Sequence, residues 1–253
     1  MKNKIAKHVL GSLLAIAFWL LVWEAVARSI DVSFIFPSVR EVFSEFFALF
    51  VSKNFYATVF ASFLRILCGF SIGILLGTVL APLTKYFMPA RVLISPVMTV
   101  LRATPVASFI MVLWLIIGSD AVPVTITAFM VTPIVWQNLS DGFSAIDPAL
   151  DEVCAIYRIK GLKRLRILVI PTLIKYLIPG IITSAGLAWK SGIAAEIIAY
   201  TSNSIGKEIY LAKAYLESGK MLAWTMIVII FSLIFEALLS LLGRRVANGK
   251  SKA

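Results

Sequence analysis

Residues 57–83 read ATVFASFLRILCGFSIGILLGTVLAPL, with Arg65 the one charge in the run. An α-helix rises 1.5 Å per residue, so roughly 20 apolar residues cross the ~30 Å hydrocarbon core of a bilayer. In lipid the backbone must satisfy its own hydrogen bonds, which leaves only helices and closed barrels, and this run lacks a barrel strand's alternation. It is therefore expected to be a membrane-spanning helix. Working outward, residues 9–29, 93–117, 121–140, 172–199 and 221–242 meet the same requirement. Composition agrees: 60% of the 253 residues are hydrophobic, against roughly 45–50% in soluble domains, and mean hydropathy is +0.95. The expected fold is an all-α integral membrane protein with six transmembrane helices. Residues 1–56 would supply the first helix and an outer segment, 57–242 a five-helix core, and 243–253 a basic tail.

The net charge is +11, which suits either a nucleic-acid binder or a membrane protein that keeps its cations on the cytoplasmic side. Placement decides between them. With the N-terminus inside, Lys2, Lys4, Lys7, Lys85, Arg91, Arg158, Lys160, Lys163, Arg164, Arg166, Lys175, Arg244, Arg245, Lys250 and Lys252 face the cytoplasm. Arg28, Arg40, Lys53, Lys207, Lys213 and Lys220 face outward, so fifteen cations lie inside against six outside. Both termini are expected in the cytoplasm of a prokaryotic cell membrane, and nucleic acid is not needed to explain the charge. The first stretch also fits a cleavable signal peptide, because Ala25-Val26-Ala27 follows a basic and then apolar run. That run, Val9 to Trp23, is long for the purpose and Glu24 sits just ahead of the site, which favours a retained helix.

Between the first two spans, Val39, Val42, Phe43, Phe46, Phe47 and Phe50 recur at helical spacing, with Pro37 placed to open a helix. An amphipathic helix at the outer interface and a docking surface for an outside partner both fit this pattern.

The longest charged interval, residues 141–171, reads DGFSAIDPALDEVCAIYRIKGLKRLRILVIP and lies on the cytoplasmic side. Asp147 followed by Pro148 is a helix start, the carboxylate capping free amides and the proline ring suited to the first turn. Asp151 and Glu152 complement the positive end of the helix dipole. Leu150, Val153, Cys154 and Tyr157 then share one side of a short amphipathic helix, and a second basic stretch after Gly161 runs to Pro171, where the fifth span begins. A helix tethered between two spans suits the transmission of force; a solvated loop with snorkelling cations fits the periodicity equally well.

Glu152-Val153-Cys154 followed by the interval ending Val169-Ile170-Pro171 resembles the EAA loop of binding-protein-dependent ABC importer permeases, and more narrowly their nitrate/sulfonate/taurine branch. Phe36-Pro37-Ser38-Val39-Arg40-Glu41-Val42, Ser62-Phe63-Leu64-Arg65-Ile66 with Gly69-Phe70, and Leu101-Arg102-Ala103-Thr104-Pro105 with Leu113-Trp114 are similar to that branch, as is Trp189 with Ala195-Glu196. The resemblance covers residues 34–242. One position departs from it: the family's glycine six residues after the glutamate is Arg158 here. Either Gly161 takes over the turn or the first helix continues.

The resemblance implies a type I ABC importer permease fold in which residues 147–160 form a coupling helix. Asp147, Pro148, Asp151, Glu152, Val153, Cys154, Tyr157, Arg158 and Gly161 would meet the ATPase. It also implies partners: two ABC ATPase subunits holding ATP and Mg, an extracytoplasmic solute-binding protein, and a second permease copy, a homodimer being expected. Glu152 would either pair with a basic group of the ATPase or serve the helix dipole alone.

The chain itself carries no catalytic or cofactor site that the sequence reveals. The decoy Gly249-Lys250-Ser251 follows Gly243 at the wrong spacing for a P-loop, His8 is the one histidine, and Cys68 and Cys154 form no metal-ligand pattern. A non-catalytic subunit is expected. A secondary transporter driven by an ion gradient is the alternative, which inverted repeats would favour, and none is visible between the halves.

Charges inside spans are costly and normally face protein or water. Lys190 and Glu196, six residues apart on one helix, point about 120° away from each other. Lys190 either contacts an anionic substrate or pairs with a buried glutamate. Trp189, Glu196, Arg102 and Thr104 complete the candidate substrate path, with Thr104-Pro105 marking an expected kink. Glu24 and Glu236 look like interface or pairing residues. Gly69, Gly73 and Gly77 recur every four residues and allow close packing, within one chain or across a dimer.

Overall fold

The computed structural model describes residues 2–30 and 32–249, and every regular element within them is helical. Lys250 and Ser251 of the P-loop decoy and Lys252 lie outside the described residues, as do the side chains of Lys2, Lys4, Lys7, His8 and Arg244.

The first helix, α1 (Lys2–Ile30), contains an apolar span that is almost wholly exposed on the protomer, as a helix facing lipid would be. Its C-terminal end is tied down: the Trp23 indole N–H donates to the Pro37 carbonyl (3.0 Å), and Glu24 accepts from Val39 N (3.2 Å) while pairing with Arg28. α2 (Val39–Val51) is the expected amphipathic helix, but Pro37 does not open it. Ser38 is the cap, its hydroxyl accepting from Glu41 N, with Pro37 one residue earlier. Val42 and Leu49 face inward and α2 lies along α11 (Ser218–Gly249), so it is a docked element rather than a free interfacial one.

α3 (Phe55–Tyr86) contains the quoted stretch and lies along α6 (Val122–Ser144), which in turn lies along α9 (Ile170–Ile198). α6 is thus the buried centre. The stripe Gly69, Gly73 and Gly77 is what lets α3 come so close: a Cβ at Gly73 would lie 2.6 Å from Val131 Cβ, and one at Gly77 2.7 Å from Val135 Cβ. Those glycines serve packing within one chain. Ile66, Phe70, Val131, Val135, Trp189, Ile193, Trp224 and Ile227 fill the core between α3, α6, α9 and α11.

The third expected span, 93–117, is not one helix. α4 (Met88–Ala103) and α5 (Val106–Ile117) meet at a bend of 110°. Proline disfavours helical backbone in the residue before it and contributes no N–H. Thr104 accordingly turns extended (ψ 130°), and its hydroxyl donates to the Val100 carbonyl at 2.7 Å. The expected kink is therefore a full break. Among the described residues, five helices are long and apolar enough to cross a membrane, and six if the bent pair counts as one span.

The charged segment 141–171 forms α7 (Pro148–Ile156) and α8 (Gly161–Arg164). Pro171 does not begin a separate helix, because α8 continues through a π turn, Leu165–Val169, into α9. A wider turn just ahead of a proline relieves the ring's clash with the preceding turn. One element was not anticipated: α10 (Ile205–Ala214), in the connection between α9 and α11. Its signal was present in Ser204, which caps Lys207 N, and in Glu208 in the first turn.

Candidate functional site

The short helix α7 begins as its residues dictate. Asp147 accepts from Ala149 N at 2.9 Å and Pro148 occupies the first turn. Cys154 faces inward (6% exposed), whereas Leu150, Val153, Ile156 and Tyr157 are open, Ile156 and Tyr157 at 76% and 74%. Of the four residues expected on one apolar side, three point away from the protein and one anchors the helix. Glu152 is exposed and makes no ion pair among the described residues. Asp151 instead reaches across to α8, accepting from Arg164 Nε at 2.6 Å.

The helix ends at Arg158, where the family glycine is missing. Arg158 adopts φ 54°, and Ile159 N donates to the Cys154 carbonyl at 2.7 Å, the six-to-one bond of a Schellman cap. Helix continuation is thereby excluded, and Gly161 (φ 59°) makes a second left-handed turn rather than replacing the first. A side chain in this region costs roughly 1–2 kcal/mol. Arg158→Gly should therefore stabilise the α7–α8 connection by about 1 kcal/mol, seen as slower amide exchange at Ile159 and Lys160.

The Arg164 hydrogen bond holds the Asp151 carboxyl below the usual carboxylate range. A carboxylate whose folded pKa is depressed stabilises above its unfolded pKa of about 3.9 and loses that contribution as pH falls through the lower, folded value. Across pH 5 to 8 the pair is fully formed. Asp151→Asn should reduce transport by the same few-fold factor at pH 5.5 and pH 8; a loss confined to one end of that range would contradict the assignment.

At the opposite end of α9 from α7 a second constellation joins four elements. Glu196, fully buried on α9, accepts from Ser62 Oγ of α3 at 2.8 Å and from Gly206 N of α10 at 3.2 Å. Ser62 Oγ also accepts from Ile205 N, and Arg65 approaches the second Glu196 oxygen at 3.6 Å while donating to the carbonyls of Ser202 and Asn203. Asp120, in the connection between α5 and α6, accepts from the hydroxyl and amide of Ser202, and these bonds lower its pKa. This network latches the 199–204 connection to α3. The spacing of Ser62 and Glu196 in sequence hides it, although each lies in a stretch resembling the family.

The candidate path residues separate. Lys190 and Arg102 are exposed, Lys190 on a stripe of α9 with Lys175, Pro179, Thr183 and Leu187. Thr104 is half-buried, its hydroxyl committed to Val100. Trp189 and Glu196 are both buried, and neither opens onto a path within one copy. Trp189 is 1% exposed, donates to the Val228 carbonyl at 2.8 Å and stacks on Phe231, since its helix face points into the core while Lys190 points out of it. Lys190 makes no ion pair among the described residues, so the buried-glutamate reading has no support in the protomer. Glu236 likewise forms none, its carboxylate lying where Gly186 leaves room.

A family model described as a binding-protein-dependent transport system inner membrane component matches residues 73–248. The chain is 23% identical over 246 residues to SsuC of Bacillus subtilis (strain 168), a permease named for aliphatic sulfonates transport, covering 94% of this chain and 87% of that protein. It is 22% identical over 249 residues to the taurine transport system permease protein TauC of Escherichia coli (strain K12), covering 95% and 90%. Among solved structures, a crystal structure of an amino acid ABC transporter with histidines is similar at TM-score 0.63 and 20% identity, covering 76% of this chain and 94% of that one.

Proposed function

Because the chain belongs to the family of binding-protein-dependent transport system inner membrane components, and is a multi-pass ABC importer permease with the type I permease fold, we propose that it works as one of two identical permease copies in the inner membrane. Two ATPase subunits engage α7 from the cytoplasm, where both termini also lie, and an extracytoplasmic binding protein delivers the solute. ATP and Mg belong to the ATPase subunits, and this chain holds no cofactor of its own.

The observation that carries this reading is the apolar outward face of α7. Leu150, Val153, Ile156 and Tyr157 are exposed on a short helix in the longest charged interval of the chain, which this reading places on the cytoplasmic side. An exposed apolar cluster of this kind marks a protein interface. Cys154, the Asp151–Arg164 bond and the unbroken helical run from α8 into α9 fix the cluster to a span. Movement of the ATPase pair is thereby passed to α9 as a rigid-body displacement, the element that ATP binding biases between inward- and outward-open states.

The solute is a small organic anion of sulfonate type. Lys190 stands exposed on a helix that crosses the membrane, and a cation at such depth costs roughly 2.5–3.5 kcal/mol unless it faces protein or water. A water-filled path between two copies satisfies that need, with the α9 stripe through Thr183 and Lys190 lining it and Arg102 near its bend. The names of the sulfonate and taurine permeases support the same class.

The test is reconstitution of the permease with its ATPase subunits in proteoliposomes, with candidate binding proteins added on the outside. ATP-dependent uptake of a radiolabelled sulfonate that survives a protonophore is expected. Uptake that collapses with the ion gradient and ignores ATP would establish the secondary-transporter alternative instead.

A further inference from the structure

Two charges of opposite sign stand within neighbouring spans, Lys190 on α9 and Glu236 on α11. The two helices run antiparallel. Trp189 Nε1 donates to the Val228 carbonyl, a Cβ at Gly186 would meet the Glu236 carboxylate, 3.1 Å from its Cδ, and one at Gly243 would lie 2.6 Å from Ile178 Cγ2. The Glu236 carboxylate therefore rests against bare α9 backbone. Lys190 is one turn further along α9 and about 40° round it from Gly186. Side chains on a helix lean toward its N-terminus, which carries the Lys190 stem back toward the turn that Glu236 covers. Neither charge makes an ion pair among the described residues, so no other partner holds the two apart.

The hydroxyls along this seam point to water. Thr172 and Ser184 on α9 and Thr225 on α11 donate to carbonyls of their own helix, the usual recourse of a hydroxyl in a span. Thr183, on the Lys190 stripe, is exposed, while Ser232 and Ser240, each four residues from Glu236, are half-buried. These three make no hydrogen bond among the described residues. A polar strip thus crosses from α9 to α11 and carries one cation and one anion. Each charge is expensive at membrane depth unless compensated, and the other lies one turn away on a packed neighbour.

We infer that Glu236 is the exchangeable counter-charge of Lys190: it closes on the ammonium when no anion is bound, yields to the anionic group of the solute, and takes the ammonium back as the solute leaves. The inference rests on the sulfonate-importer reading above and adds to it the residue that limits how tightly the anion is held. Glu236 is a positioning residue, acting through Lys190. The pair is open in the conformation described, and rotation of two unrestrained side chains closes it.

The experiment uses the complete transporter in proteoliposomes with ATP and saturating solute-loaded binding protein. It compares wild type, Glu236→Gln, Lys190→Met, those two combined, Lys190→Glu, and Lys190→Glu combined with Glu236→Lys. Removing the carboxylate alone leaves the ammonium with nothing to reclaim it, so Glu236→Gln should lower the maximal uptake rate about tenfold or more, while loaded binding protein still stimulates ATP hydrolysis. The combined neutral variant should be no slower than Lys190→Met, a non-additivity that a merely structural Glu236 would not show. The charge exchange should recover uptake and folded protein relative to Lys190→Glu alone. Amount recovered and melting temperature are followed throughout. If Glu236→Gln does not fold, the combined neutral variant decides: return of folded protein supports the pair, and continued loss overturns it. Independent, multiplying losses in the combined variant, an exchange no better than Lys190→Glu, or a Glu236→Gln variant that turns over like wild type overturns the counter-charge and leaves the importer reading standing. Absence of ATP-driven anion uptake by wild type removes the importer reading and the counter-charge with it.

Discussion

Gly73→Ile should leave little folded permease in the membrane, destabilising it by about 3 kcal/mol or more. A Cβ at this position would lie 2.6 Å from Val131 Cβ, 2.8 Å from its Cγ1 and 3.0 Å from the Ala128 carbonyl oxygen. Backbone cannot yield as a flexible side chain does, so α3 and α6 must separate. In lipid, helix association draws on close van der Waals contact instead of the hydrophobic effect, and separating the two backbones removes what holds them. The effect should be visible as a fall in detergent-solubilised melting temperature and in the amount recovered from membranes. Two companions isolate the cause. Gly73→Ala should be milder, and combining it with Val131→Gly, which removes the clashing Cβ, should recover part of the loss, a coupling that only direct contact explains. Gly11→Ile on α1 should be nearly neutral, because nothing lies within 4 Å of its Cβ direction. Equal damage at Gly11 and Gly73 would mean that the α3–α6 contact is not what the substitution breaks.

The contrast between those two glycines shows what a single sequence can and cannot disclose. Spacing of four residues revealed a helix face made for close approach, but which helix approaches is a fact about three dimensions. The spans themselves were legible because the bilayer imposes a one-dimensional rule of length and apolarity, and 57–83 falls inside α3 (Phe55–Tyr86). Thr104-Pro105 announced a kink, since proline acts on its immediate neighbour. The 110° angle depends on what α4 and α5 each pack against, and local chemistry does not contain it. Asp147-Pro148 predicted its own cap because capping is local. The latch around Glu196 was invisible for the opposite reason: Ser62, Arg65 and Gly206 come from other helices, and neither charge nor periodicity links them in advance. Helical arithmetic did separate the faces of Lys190 and Glu196. It could not say that one faces the core and the other leaves it. Trp189 shows the same limit, as a tryptophan in a transport path and one filling a core have the same sequence signature.

Ile156→Asp combined with Tyr157→Asp should lower ATP-driven uptake at least 100-fold while the permease folds and inserts normally. Both side chains are about three-quarters exposed, 76% and 74%, so the protomer gains almost nothing from them. The apolar area they offer acquires value only when a partner covers it, and a carboxylate there must be desolvated without a counter-charge, which is costly at a buried interface. Aspartate near a helix C-terminus also opposes the dipole by about 0.3–1 kcal/mol, so Ile156→Gln with Tyr157→Gln is the neutral control and should still cost most of the uptake. Cys154→Asp makes the informative opposite case. That residue is the inward anchor of α7 at 6% exposure, and charge there should lower protein stability as well as transport. Measuring uptake, co-purification of the ATPase subunits and melting temperature on the three variants separates the roles. Loss of uptake and of co-purification at unchanged melting temperature is the signature of a docking face. Glu152→Arg, one turn away and also exposed, should uncouple ATP hydrolysis from transport by placing a cation in the same contact. Normal ATP-driven uptake in all of these exposed-face variants would show that α7 does not carry the force, and would leave its apolar exposure, the left-handed Arg158 turn and the Asp151–Arg164 brace without a common purpose.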